Sequence, residues 1–132
     1  MNAFTTCSAA LVLACSAWAA HAQGAVLSPQ HAACMRQSGD TTVGMIDCIG
    51  AETQRQDRRL NQAYKAAMAL QSPERKKQLQ AAQRAWIQFR DANCAFYFDP
   101  DGGSLARVSA NDCVMTSTAQ RAQELEGFAV RH

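Results

Sequence analysis

Six cysteines, three histidines and eleven carboxylates are the side chains of this sequence best suited to chemistry. Their spacing decides how much chemistry they could do. No Cys-x-x-Cys pair occurs among Cys7, Cys15, Cys34, Cys48, Cys94 and Cys113, which argues against a zinc site. Disulfides are the other use of such cysteines, and they need an oxidising compartment. The first 22 residues supply the route to one. Ala9-Ala10-Leu11-Val12-Leu13-Ala14 is an apolar run, and Ala20-His21-Ala22 is a small-x-small signal before Gln23, the pattern of a secretory signal peptide cleaved near Ala22. As a membrane anchor the run is too short and too rich in Ser, Thr and Ala, and no stop-transfer charges follow. Leu13-Ala14-Cys15 loosely resembles a lipoprotein box, but Val12 at its first position and the better site downstream favour Ala22. The expectation is an exported chain, periplasmic or secreted, with no membrane span. Cys34, Cys48, Cys94 and Cys113 then form two disulfides.

Covalent catalysis finds no support beyond the leader. Only His31 and His132 remain, one in a leading segment and one at the last residue, and there is no Gly-x-Ser-x-Gly. Glu74, Glu124 and Glu126 sit near expected helix ends, where a carboxylate has a solvent or dipole role. Asp99-Pro100-Asp101-Gly102 resembles the start of a calcium loop, yet the ninth and twelfth positions are Arg107 and Ala110, so the closing Glu is missing. No enzyme activity, cofactor or metal is expected. The net charge of +2, with both signs spread along the chain, argues against a nucleic-acid binder, and Arg75-Lys76-Lys77 reads as solvated helix surface.

Asp57 is the most informative polar residue in this reading. It falls on a stripe of Ile46, Ile49, Thr53, Leu60, Tyr64 and Ala67, which predicts a helix from about Thr42 to Leu70. A carboxylate on that stripe must be hydrogen-bonded or paired. Asn61, Trp86 and Arg90 are the expected members of a structural polar network around it. Gln71-Ser72-Pro73-Glu74 ends the helix and begins another, because Ser72 can cap, Pro73 suits a first turn and Glu74 complements the positive helix end. The second helix runs to about Phe98 with Leu79, Ala82, Trp86, Phe89, Asn93 and Phe96 as its inner stripe. The loop Asp99, Asp101, Gly102, Gly103 and Ser104 breaks it and is a candidate binding surface. A third helix is expected from Ser109, with Asp112 completing a short capping box.

The class is therefore all-α: a long antiparallel helical hairpin with a third helix packed across it. Residues 1–22 form the leader, 23–41 a leading segment without periodicity, and 42–132 a three-helix disulfide-stapled domain. If the hairpin turns between Gln71 and Ser72, Cys48 and Cys94 both lie at its open end, near Cys113. Cys34–Cys48 with Cys94–Cys113 is the favoured pairing, and Cys48–Cys94 with Cys34–Cys113 stays open.

The same residues carry a resemblance. Cys48, then Asp57-Arg58-Arg59-Leu60-Asn61-Gln62-Ala63-Tyr64, then Ala82-Gln83-Arg84-Ala85-Trp86-Ile87-Gln88-Phe89-Arg90-Asp91-Ala92-Asn93-Cys94 resembles the LprI-type lysozyme-inhibitor domain family over about residues 34–126. Gly102-Gly103-Ser104, Cys113, Thr118, Arg121 and Leu125 fit it too. The resemblance implies a small exported helical domain with a protein partner, a lysozyme, whose cleft it would occlude. It supplies no catalytic residues. Asp99-Pro100-Asp101 could give local complementarity to a basic partner. The alternative is a non-enzymatic envelope adaptor for another protein or a glycan. Oligomeric state is left open.

Overall fold

The computed structural model describes residues 27–130, in which four helices are joined by short turns. The expected leader, with Cys7, Cys15 and the Ala22 site, lies outside the described residues, as does His132. Helix α1 spans Pro29–Gln37, α2 Thr42–Ala69, α3 Pro73–Phe96 and α4 Gly103–Val130, and no strand occurs among the described residues. The all-α class with two disulfides is as expected.

Three helix starts have a chemical cause that can be read locally. The side-chain oxygens of Ser28, Thr41 and Ser72 accept from the backbone N–H groups of His31, Gly44 and Arg75 at 3.2, 3.1 and 3.4 Å. Each satisfies a donor that the first turn would otherwise leave orphaned. Pro29 and Pro73 follow two of these caps and preset the helical φ. Between α1 and α2, Gly39 and Asp40 take left-handed φ values of 63° and 57°, which reverses the chain.

Two expectations about elements are corrected. The leading segment contains α1, a helix too short to show a period but held by the Ser28 cap and by Cys34. The last helix begins at Gly103, not Ser109, which lies exposed inside it. Its start is set by a turn rather than by a capping box. Asp99 accepts from the N–H of Asp101 through Oδ1 and from the N–H of Gly102 through its carbonyl, at 2.9 and 3.1 Å. Gly103 follows with φ 64°. Burial of Ala106 and a 3.3 Å hydrogen bond from the Thr42 hydroxyl to Ser104 Oγ then fix the first turns of α4 beside the start of α2.

Helices α2 and α4 run parallel and form the closest packing in the molecule. Thr42 meets Ser104 near one end, and Arg59 meets Glu126 towards the other. Small side chains at Ala63, Ala67, Ala119 and Ala122 allow the close approach. Leu60, Ala63, Ala122 and Leu125 make the core cluster, with Tyr64, Leu79, Trp86 and Phe128 packed against it. Helix α3 returns antiparallel to both. It joins α2 through Leu70-Gln71-Ser72, forming the expected hairpin, and leans on α4 rather than lying flush with α2. The third long helix thus lies along α2, and a groove is left between α2 and α3.

The inner faces differ in part from the expected stripes. On α2 the buried positions are Ile49, Glu52, Gln56, Leu60, Ala63 and Ala67, beside Cys48. A 3.6-residue step from Ile49 reaches 56, not 57, so Gln56 is buried and Asp57 stays in water. On α3 the inward positions are Leu79, Gln83, Trp86, Arg90 and Cys94. Phe89, expected in the core, is 67% exposed, and Phe96 is 86% exposed.

Candidate functional site

One well-satisfied buried polar group is one that hydropathy patterning misses. Glu52 is fully buried, and its carboxylate accepts from the Ser28 N–H at 2.7 Å and from the Ser28 hydroxyl. Gln56 Nε2 and Arg55 Nε each donate to it at 2.6 Å. Burial pushes this carboxyl up, but the hydrogen bonds from Ser28, Gln56 and Arg55 together outweigh it and hold the pKa at about 2. The network continues: Arg59 donates to Gln56 Oε1 at 3.2 Å and forks onto both Glu126 oxygens at 2.6 and 2.7 Å. A chain of charge-assisted bonds thus ties the cap of α1 through α2 to the far part of α4. Its role is positioning, and the only signal for it in sequence is the 3.6-residue step from Ile49.

The groove between α2 and α3 gathers the polar residues singled out from sequence. Asp57 and Asn61 line it from α2, with Leu60 and Tyr64, while Gln83, Trp86 and Arg90 line it from α3. Its volume is about 520 Å³. The four expected network members share the groove, but they do not bond as expected. Asp57 is exposed and makes no side-chain hydrogen bond or ion pair among the described residues. Arg90 instead packs over the Trp86 ring at 5.0 Å, donates to Asp91 at 2.8 and 2.9 Å, and reaches the buried Thr118 at 3.3 Å. Arg121 approaches the same ring at 5.9 Å while donating to Gln83 Oε1 at 2.9 Å and Glu124 at 2.6 Å. Two guanidinium groups against one indole make a rigid joint between α3 and α4. Both guanidinium groups are committed to these contacts.

The second feature is the loop between α3 and α4. The Cys94–Cys113 bridge, with Cα atoms 5.4 Å apart, ties the last turn of α3 to the body of α4, past the helix start at Gly103. Cys34–Cys48, at 5.6 Å, clamps α1 to α2. Both pairings are the favoured ones. Within the loop, Asp99 closes the turn, whereas Asp101 is exposed and its carboxylate has no partner among the described residues. Gly102 has to be glycine: a Cβ there would sit 2.9 Å from the Ala106 Cβ. Gly103 and Ser104, with Phe98 and Arg107, line a shallow hollow of about 320 Å³ beside the turn. Phe96, Tyr97, Phe98 and Leu105, which flank the loop in the chain, are exposed. The result is a small-tipped loop with two carboxylates, closed by the Asp99 turn and flanked in the chain by exposed apolar residues.

No group of three or more His, Cys, Asp or Glu side chains among the described residues could hold a metal ion. No helix among them is long and apolar enough to cross a membrane. Comparison with curated proteins and with solved structures found no match. The family model described as "Lysozyme inhibitor LprI" matches residues 34–125, from the first bridging cysteine to the buried Leu125 of α4. With both disulfides, α2, α3 and α4 as far as Leu125 falling within that match, the chain belongs to the LprI lysozyme-inhibitor family.

Proposed function

We propose that this protein works outside the cytoplasm as a lysozyme inhibitor, binding a muramidase and occluding its cleft without doing chemistry of its own. The observation that carries the reading is the family match over residues 34–125, which takes in both disulfides. Two structural disulfides suit an oxidising compartment, in keeping with cleavage of a leader near Ala22.

The loop at Asp99–Ser104 is the contact surface that suits occlusion best. Gly102, Gly103 and Ser104 have little side chain to obstruct entry into a groove. Asp101 offers an unpaired carboxylate to a cationic rim, where complementary charge speeds association. Tyr97 and Phe98, each 49% exposed, supply the aromatic anchors that interfaces favour. The turn closed by Asp99 leaves the loop less freedom to lose on binding. Affinity capture tests the reading: the immobilised mature protein should retain at least one member of a panel of lysozyme classes. Asp101→Lys should retain it less well. Capture of no lysozyme would overturn the proposal in favour of an adaptor with another envelope partner.

A further inference from the structure

Helix α3 carries a second apolar stripe that the fold leaves uncovered. Its inner face, through Trp86 and Cys94, is spent on the bundle. Turned away from it are Ala82, Ala85, Phe89, Ala92 and Phe96, all exposed. Their steps alternate between three and four residues, the a/d pattern of a coiled-coil seam. A helix on the surface of a monomer needs one such stripe, towards its core. Two phenylalanines 67% and 86% exposed, two turns apart on one line, make a contiguous patch rather than scattered apolar residues.

We propose that this face is a homodimer interface, in which α3 packs antiparallel on α3 of a second copy. Size and charge both favour that occupant. In antiparallel register Ala85 of each copy faces the partner's Phe89, and Ala82 faces the partner's Ala92. Phe89 of each copy then meets a small residue, Phe96 lies over the partner's Gln78, and the arrangement is self-complementary as a two-fold axis requires. The basic run Arg75-Lys76-Lys77 opens the helix, whereas Asp99 and Asp101 follow its end. Antiparallel pairing sets the basic end of each copy against the acidic end of the other, and parallel pairing would set like against like. The seam from Ala82 to Phe96 is about 21 Å long. A two-heptad seam lies at the lower end of what a stable interface buries, so the dimer forms in the micromolar range and loosens with salt.

The dimer draws on the acidic loop that the muramidase reading also uses, but its test needs no muramidase, so each can fail alone. Sedimentation velocity of the mature, disulfide-bonded protein, from low to several hundred micromolar, should follow a monomer–dimer equilibrium that weakens at high salt. Phe89→Glu should stay monomeric throughout while keeping the wild-type helicity and melting temperature. Arg75→Glu should weaken the dimer several-fold, and adding Asp101→Lys should restore it, as only the antiparallel orientation allows. A wild-type protein monomeric over the whole range would overturn the proposal. So would a Phe89→Glu variant that dimerises as before, or a monomer that co-sediments with anionic lipid vesicles through this face.

Discussion

Among single residues, Glu52 is the one whose charge the fold most depends on. Its carboxyl titrates at about 2 in the folded chain against 4.5 for an ordinary Glu. A depressed folded pKa contributes stability that is complete above the unfolded value and is lost as pH falls through the folded one. The domain should therefore keep its stability down to about pH 5 and lose roughly 3 kcal/mol from this group by pH 2. Glu126, lowered by its pairing with Arg59, acts in the same direction. Glu52→Ala should cost about 3 kcal/mol at pH 7 and flatten the acid limb of the melting-temperature profile. Wild-type acid sensitivity in that variant would remove Glu52 from the account. Asp57 gives the contrasting case. Because it is exposed and unpaired, Asp57→Ala should change stability by no more than about 0.5 kcal/mol in a urea titration.

Among the elements, legibility followed chemistry that is local in the chain. The α2–α3 boundary was readable because Ser72, Pro73 and Glu74 cap a helix wherever they occur together. The hairpin register brought the four cysteines to one end, and the observed pairing was the favoured one there, with Cys48–Cys94 and Cys34–Cys113 still open. The start of α4 was not readable, since it depends on a turn closed by Asp99 and on burial of Ala106. The inner faces were partly misread for a different reason. Glu52, Gln56, Gln83 and Arg121 are buried polar residues, and in a hydropathy pattern they look like solvent positions. Phe89 and Phe96 made the complementary error, because apolar residues at helical spacing mark a buried stripe only if something in the monomer covers it. The clamps lend themselves to a direct check. Replacing Cys94 and Cys113 together with Ala should lower stability by about 2–4 kcal/mol and raise hydrogen exchange in the 99–104 loop. Unchanged exchange there would mean that the turn holds the loop without the bridge.

At the scale of the whole molecule, the parts converge on a rigid platform. The parallel α2–α4 pair forms its spine, the Glu52–Gln56–Arg59–Glu126 chain binds α1 to α2 and α2 to α4, and the Trp86 joint fixes α3. The groove beside Asp57 and the exposed stripe of α3 were both out of reach of sequence reading, because each arises from how α3 leans away from α2. What the platform presents is a turn-closed loop with a small tip and one unpaired carboxylate. The most direct test is a turbidity assay with cell-wall substrate and a panel of lysozyme classes. The mature protein should slow lysis by at least one of them in proportion to its concentration, with Asp101→Lys markedly weaker and Asp57→Ala as potent as wild type. No inhibition of any class at high micromolar protein would contradict the account.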